Sequence, residues 1–286
     1  MQWASERITN RHKVSVWRLS ILTNVKKLKV LAIGGLSAAA ILALAAPQAK
    51  AGPVPSGWSC SGNCGTDGAD GVVALSPSGN ASYEYISTNG GGVGVGGISS
   101  VGGTNGSLLS TPVFTANAGD PLKFFFNFVT SDGAGFSDYA WAALYKSDNT
   151  LVDYMFTART QPSGDTSPGF GLPANGATLI PATSGIIGGG PSWSVLGGSS
   201  GGCYSAGCGY TGWIQSQYEI AASGDYYLSF GTINWLDQAF DTGLAIDNVT
   251  IKNVEVPQDT PEPATMALVA AGLAGLGVVR RRRRAA

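Results

Sequence analysis

The sequence predicts an all-β fold, a β-sandwich of the jelly-roll type. Short runs rich in aromatic and β-branched residues recur between residues 72 and 253, and many of them alternate apolar and polar positions. Gly, Ser and Asn turns separate these runs, which is typical of strands in two packed sheets. No stretch there carries the 3.6-residue apolar period of an amphipathic helix. Two packed sheets would bury the aromatic side chains and leave the acidic ones outside.

The strands are predicted from the apolar runs. Residues 122–129, Leu-Lys-Phe-Phe-Phe-Asn-Phe-Val, have the aromatic density of a core strand. Residues 139–156 predict a hairpin that turns at 147–149. The remaining strands are expected at 72–75, 83–87, 113–116, 226–233 and 244–251.

The stretch from Ser163 to Gly209 is rich in Gly, Pro and Ser and weakly patterned. It is predicted to be an extended loop or insertion, held at one end by its cysteines. Loops of this length are uncommon in compact domains, so the segment is expected to be either functional or poorly ordered.

The four cysteines form two close pairs in sequence, which are Cys60 with Cys64 and Cys203 with Cys208. Four cysteines allow three disulfide pairings, of which the two local ones are favoured. Zinc is the rival interpretation, but the spacings are loose for a zinc site, and an oxidising compartment disfavours free thiolates.

Residues 1–51 are predicted to be a signal or leader segment. A stretch at 25–29 with three lysines precedes an apolar run at 30–46, and Ala49-Lys50-Ala51 fits a signal-peptidase cleavage pattern. The mature chain would then begin near Gly52; an uncleaved membrane anchor is the alternative. Because residues 1–24 are long and mixed for a signal segment, Val25 is a hypothetical true start.

Residues 52–256 are predicted to form an extracellular β-sandwich domain with a strongly negative surface. Residues 52–260 contain four basic and sixteen acidic side chains, which gives a formal charge of −12. Such a surface repels nucleic acid and anionic lipid and attracts divalent cations or basic partners. Solubility outside the cell is a sufficient alternative reason for this charge.

The chain ends in a three-part tail. Residues 257–263 form a linker that ends in Pro261, Glu262 and Pro263, and an apolar run follows at 264–279. The last part, 280–286, is Arg-rich and is predicted to be cytoplasmic. It contains Arg280, Arg281, Arg282, Arg283 and Arg284. The apolar run predicts a short transmembrane helix, which suits a temporary anchor better than a lasting span of about 20 residues.

This tail resembles the PEP-CTERM sorting signal of Gram-negative bacteria. The resemblance implies that an exosortase reads the Pro-Glu-Pro motif, cuts near it and passes the protein from the inner membrane to the cell surface or extracellular matrix. Proteins with this signal accompany exopolysaccharide production. The tail is also known as the ice-binding protein C-terminal motif, but the body of the chain has no repeated Thr-x-Thr ladder. A plain membrane anchor is the alternative.

The body of the chain resembles uncharacterised extracellular domains that carry PEP-CTERM tails. The resemblance rests on Trp58-Ser59-Cys60 through Cys64-Gly65, on Tyr139-Ala140-Trp141-Ala142 and on residues 245–249. The last of these, Ala-Ile-Asp-Asn-Val, also looks like the closing strand of jelly rolls similar to carbohydrate-binding modules. There the matching acid sometimes ligates a structural calcium ion.

The sequence argues against an enzyme. His12, the only histidine, lies in the predicted leader, so the mature domain has no Ser-His-Asp triad, Cys-His dyad or histidine-ligated zinc. A pair of carboxylates could still serve a glycosidase. Nothing in the spacing of the acidic residues singles out such a pair.

Calcium and sugar are the ligands that the sequence favours. Asp120, Asp241 and Asp247 precede or lie in predicted core strands and are candidates for a structural calcium site, with Asp67 or Asp70 as a further candidate ligand. Turn formation is the ordinary alternative for each aspartate. Aromatic side chains in or near loops are candidates for a platform under sugar rings, with core packing as the alternative for each. These are Tyr210, Trp213 and Trp235, together with Trp193.

The sequence thus predicts a non-enzymatic surface or matrix protein that binds polysaccharide or another matrix component. The expected partners are an exosortase, a polysaccharide or matrix component and, transiently, the membrane, with no nucleic acid. A carboxylate-dependent glycan-active enzyme and a purely structural matrix protein are the alternatives.

Overall fold

A computed structural model of the chain describes residues 51–161 and 163–256. The predicted leader up to residue 50, the linker, the sorting helix and the Arg-rich end lie outside the described residues. The described part is almost entirely β-structure, with one short 3-10 helix at Ser194–Ser199. The eighteen strands are β1 Ser59–Ser61, β2 Asn63–Asp67, β3 Tyr83–Ser87, β4 Gly92–Val93, β5 Asn105–Ser110, β6 Phe114–Ala116, β7 Pro121–Thr130, β8 Tyr139–Lys146, β9 Leu151–Arg159, β10 Asp165–Ser167, β11 Thr178–Ile180, β12 Ser184–Gly185, β13 Ile187–Gly188, β14 Gly209–Tyr210, β15 Ile214–Glu219, β16 Gly224–Ile233, β17 Thr242–Ile251 and β18 Val254–Glu255.

Two antiparallel sheets form the sandwich. The seven-stranded sheet has the order β1-β5-β16-β8-β9, with β4 paired to β5 and β6 paired to β16. The nine-stranded sheet has the order β11-β15-β7-β17-β3-β2, with β14 also on β7, β13 on β14 and β18 on β17. A separate pair joins β10 to β12.

The strand order within these sheets is that of a jelly roll. The four central strands of one sheet run β15-β7-β17-β3, and those of the other run β5-β16-β8-β9. Successive long strands of the chain therefore cross between the sheets, apart from the β8–β9 hairpin, as in a double Greek key. The predicted β-sandwich is confirmed.

The core fills the space between the two sheets. The inward-facing residues of the long strands alternate along β7, β16 and β17, as their buried aromatic and aliphatic side chains show. Phe126 of β7 stacks on Phe156 of β9 with ring centroids 3.7 Å apart, and Phe124 meets Phe230 edge to face. The aromatic run predicted at 122–129 therefore lies at the centre of the sandwich.

The strand predicted at 72–75 is wrong, whereas the hairpin predicted at 139–156 is confirmed. Residues 72–75 contribute only an isolated bridge, between Asp70 and Val73. Val73 is buried in a cluster on the outer side of the nine-stranded sheet rather than in a ladder. The β8–β9 hairpin forms as predicted, and Asn149 adopts the positive φ of 69° that its turn requires.

The Gly-rich segment from Ser163 to Gly209 forms a cover rather than a structureless loop. It contains four short strands and the 3-10 helix, and its Trp193 is fully buried against the outer side of the nine-stranded sheet. Both predicted disulfides are present, Cys60–Cys64 and Cys203–Cys208. No cysteine in the described part is free, which leaves none for zinc.

Candidate functional site

A group of half-exposed tyrosines lies on the outer side of the seven-stranded sheet. Tyr145 of β8 and Tyr227 of β16 are register partners, and their rings stack at 5.3 Å with an interplanar angle of 14°. Tyr154 of β9 lies opposite Ala143, in the next outward-facing row. We call Tyr145, Tyr154 and Tyr227 the tyrosine face. Its stacked rings are backed by sheet, which holds them in a fixed orientation.

Small hydroxyl side chains lie next to the tyrosine face. Ser110 of β5 and Ser229 of β16 are register partners, and their Oγ atoms are 2.7 Å apart. Ser229 is followed across the sheet by Ala143, so the surface between Ser110 and Tyr154 has no large side chain. Ser229 and Ala143 are buried and Ser110 is half-exposed, so Ser110 is the hydroxyl of this row that reaches solvent near the tyrosine face.

The middle of this outer side is covered by the loop before β5. Trp141 donates its indole N–H to the carbonyl of Gly96 at 2.7 Å, and Tyr139 donates its hydroxyl to the carbonyl of Gly102 at 2.5 Å. Gly231 makes this possible, because a Cβ there would come within 2.4 Å of the Trp141 indole nitrogen. The loop divides the outer side into the tyrosine face and a second region at the other end of β8.

Arg159 and Trp235 occupy that second region. Arg159, the last residue of β9, pairs in register with Tyr139, and its guanidinium lies 4.1 Å from the centre of the Trp235 ring. Its Nε donates to the carbonyl of Ser137 at 3.0 Å. Burial lowers the pKa of Arg159 from its usual value, but a guanidinium stays charged at neutral pH.

Two buried aspartates lie behind this region. Asp138 accepts hydrogen bonds from the backbone N–H of Trp235 at 2.8 Å and from the Thr242 hydroxyl at 2.7 Å. Burial raises its pKa well above the usual range. Burial also raises the pKa of Asp132 to about 7, and the negative charge of Asp237 adds to the effect. Asp138 thus holds the backbone of Trp235 in place.

The other predicted sugar-binding aromatics do not join Trp235. Trp213 packs edge to face on Tyr83 and donates its indole N–H to the carbonyl of Ala74 at 2.8 Å. Tyr210 is half-buried in the same cluster, which lies on the nine-stranded sheet. Trp193 is fully buried there, so it fills a core and is no platform. Of the four aromatics, only Trp235 lies on the side that carries the tyrosine face.

The three aspartates predicted for calcium are spread along the paired strands β7 and β17. Asp120, just before β7, forms an ion pair of 3.0 Å with Lys252, while Asp241 immediately precedes β17 at its opposite end. Asp247 pairs with Phe125 in mid-strand. Six residues of strand span about 20 Å, so Asp241 and Asp247 do not share an ion. The predicted three-residue site is therefore not assembled.

Each of the outer two aspartates has protein partners. Asp120 accepts a hydrogen bond of 2.6 Å from the backbone N–H of Asn117, and this bond, with Lys252, lowers its pKa. Asp241 accepts hydrogen bonds from the hydroxyls of Thr88 and Ser199, both at 3.0 Å. Both aspartates therefore act as turn and loop anchors.

Asp247 has a different, acidic setting that the sequence did not reveal. Its carboxylate accepts hydrogen bonds from Ser76, from Ser78 at 2.7 Å and from Asn80 at 2.9 Å. The neighbouring strand carries Glu84, whose buried Oε2 has no hydrogen-bond partner. Burial and the charge of Asp247 raise the pKa of Glu84 to about 8. The described residues contain no group of three or more His, Cys, Asp or Glu side chains placed to hold a metal, and calcium binding at Asp247 stays a prediction.

Sequence reasoning missed the tyrosine face and Arg159. Tyr145 and Tyr227 are separated by 82 residues and become neighbours only through the β8–β16 pairing. The available signal was the alternation of each strand, which places Tyr139, Trp141 and Tyr145 on one side of β8. That signal does not say which side faces outward.

The strand order defines a jelly-roll sandwich, and the tyrosine face lies half-exposed on the outer side of its seven-stranded sheet. The family model of the PEP-CTERM protein-sorting motif matches residues 259–284. The chain therefore carries this motif, which indicates an exported protein that an exosortase sorts. No helix in the described ranges, 51–161 and 163–256, is long and apolar enough to cross a membrane.

Comparison with known proteins gave distant structural likenesses. No curated protein matches the sequence. The K1 and K3 cleaved adhesin domains of Lys-gingipain from Porphyromonas gingivalis align with TM-scores of 0.31 and 0.33 at 12% identity, over 70% and 71% of this chain and 92% and 98% of theirs. An exo-beta-agarase aligns with a TM-score of 0.28 at 13% identity, over 74% of this chain and 26% of its own. Likenesses this distant do not define a shared function.

Proposed function

We propose that this chain is an exported, non-enzymatic surface or matrix module that binds polysaccharide on the outer side of its seven-stranded sheet. The tyrosine face carries the proposal, because Tyr145 and Tyr227 present stacked, half-exposed rings beside the hydroxyl of Ser110. Aromatic rings favour the apolar face of a sugar, and hydroxyls favour its polar edge. The PEP-CTERM motif supports delivery to the cell exterior, where such a ligand is found.

A binding role fits the described residues better than catalysis. Asp247 and the neighbouring Glu84 are both buried, and Asp247 is engaged with Ser76, Ser78 and Asn80 rather than open in a cleft. A glycosidase needs two carboxylates on either side of an accessible sugar bond. The tyrosine face offers contact area but carries no such pair.

Binding to the host's own exopolysaccharide tests this proposal. We expect the full-length chain to be retained, and the double variant Tyr145→Ala/Tyr227→Ala to bind about tenfold more weakly, since each aromatic contact contributes about 0.5–1.5 kcal/mol. Tyr204→Ala is the matched control, because Tyr204 is an exposed tyrosine outside the seven-stranded sheet.

Three outcomes discriminate the candidate functions. Equal binding by the wild-type chain and the double variant would remove the tyrosine face from the proposal. Release of sugar products during the assay would indicate a glycan-active enzyme. Absence of binding to polysaccharide would favour the purely structural matrix protein.

A further inference from the structure

The guanidinium of Arg159 is held in place with its outer donors unused. Arg159 is 8% exposed and is the only arginine in the described part of the chain. Its Nε is satisfied by Ser137. Among the described residues, no carboxylate lies within ion-pair distance of it, and neither Nη atom has a hydrogen-bond acceptor. The acidic electrostatic partner of Arg159 is Asp138, which interacts with it without an ion pair. The Nη donors are not among the fully buried unpartnered atoms of the described part, so they remain open to a ligand.

The surroundings of Arg159 fix its orientation. Its guanidinium lies over the ring of Trp235 at 4.1 Å and near the ring of Tyr139 at 5.9 Å. Arginine stacked on aromatic rings is pre-organised and loses little freedom when it binds a planar partner. Trp235 is itself held by Asp138 through its backbone N–H.

The loop beside the guanidinium presents glycine backbone rather than a side chain. Gly171 has a φ of +69°, and a Cβ added there would lie 3.6 Å from Nη1 of Arg159. Because glycine has no side chain, bare backbone passes this edge of the guanidinium. Phe170, 69% exposed, and the half-exposed Trp235 add apolar surface nearby.

We infer that Arg159 and Trp235 form a binding site for the carboxylate of an acidic sugar, such as a uronate within the bound polysaccharide. The two free Nη donors match the two oxygens of a carboxylate, and this bidentate geometry is the pairing that arginine favours. Trp235 would lie beside the sugar ring. The inference rests on the proposed function and names the ligand class for it.

Two facts define the ligand further. The site lies at the Tyr139 end of β8, six residues and about 20 Å from Tyr145, on the same side of the sheet. The loop before β5 lies between them, so the two sites are separate contact points for a polysaccharide rather than one continuous groove. The charge of −12 on residues 52–260 repels a densely charged polymer, so the matching ligand carries isolated acids among neutral sugars.

Titration with glucuronate and with glucose tests the inference. We expect glucuronate to shift the NMR signal of the Trp235 indole N–H in the full-length chain at concentrations where glucose has no effect. Trp235→Phe identifies the signal. Arg159→Lys keeps the charge but loses the bidentate fork, and should weaken glucuronate binding at least tenfold. The melting temperature of Arg159→Lys will show whether its fold is intact. Arg159→Gln serves as a second test variant.

The controls separate this inference from the proposed function. Tyr145→Ala/Tyr227→Ala should leave the glucuronate response unchanged because its tyrosines lie about 20 Å away. Equal responses to glucuronate and glucose, or an Arg159→Lys variant that binds glucuronate normally, would overturn the inference while polysaccharide binding at the tyrosine face still stands. Acetate or a peptide with a free C-terminus that binds as tightly as glucuronate would overturn the sugar assignment.

Discussion

Trp193 lies directly on the backbone of Gly243, in the middle strand of the nine-stranded sheet. A Cβ at Gly243 would come within 2.5 Å of Cζ3 of Trp193. The indole N–H of Trp193 also donates to the hydroxyl of Tyr83 at 3.1 Å. This contact fastens the Gly-rich segment to the sheet and explains how a stretch with little pattern of its own becomes ordered.

Replacement of Gly243 by alanine should therefore loosen the cover. We expect Gly243→Ala to lower the free energy of unfolding by about 1–3 kcal/mol, because the fully buried Trp193 must shift to admit the methyl group. Urea denaturation measures the change. Gly198→Ala is the matched control, since no atom lies within 4 Å of its added Cβ. Equal stability of the two variants would contradict the close contact.

The stability of the domain should depend on the protonation of Asp132. Burial raises its pKa to about 7 in the folded chain, above its usual value of 3.8. The folded state thus holds the proton more tightly, so the contribution of Asp132 to stability is fully present below about pH 4 and is lost as the pH rises through about 7. Asp132→Asn should flatten this part of the profile of melting temperature against pH. Asp165→Asn, at an exposed carboxylate, should leave it unchanged, and a profile that both variants share with the wild type would refute the assignment.

Calcium binding at Asp247 can be decided by thermal unfolding. A cation beside Asp247 and the unpartnered Oε2 of Glu84 would relieve their repulsion, so we expect calcium at saturating concentration to raise the melting temperature by about 5–10 °C. Asp247→Asn and Glu84→Gln should abolish the shift, while Asp120→Asn, at the ion pair with Lys252, should retain it. No heat of binding and no shift in the wild-type chain would end the calcium hypothesis.

The two disulfides should stabilise their own loops rather than the sandwich. They close loops with sequence separations of only 4 and 5, for which chain entropy predicts about 2 kcal/mol each. We expect Cys203→Ala/Cys208→Ala to unfold cooperatively at a moderately lower urea concentration, with its far-ultraviolet β signal intact. Loss of the β signal in this variant would show that the sandwich itself depends on the bridge. The matching double variant at Cys60 and Cys64 provides the comparison.

The fold class and the sorting motif could be predicted from local sequence patterns, and the local disulfide pairs could be favoured over the other two pairings. Each of these features depends on residues close together in sequence. The alternation and aromatic density of Leu122–Val129 predict a core strand. The short spacings of the cysteines favour local pairs. The three-part tail likewise lies in one continuous stretch, 259–284. Local patterns of this kind need no knowledge of which strands become neighbours.

Which side chains share a surface depends on strand pairing between distant parts of the chain. Antiparallel pairing of β8 with β16 made Tyr145 a neighbour of Tyr227, and the turn after β16 set Trp235 over Arg159. The same packing buried Trp193 and separated Asp120, Asp241 and Asp247 along two strands. Pairing between distant strands fixes the register and decides which side of each strand faces outward. Neither the register nor the outward side can be predicted from the residues within one strand.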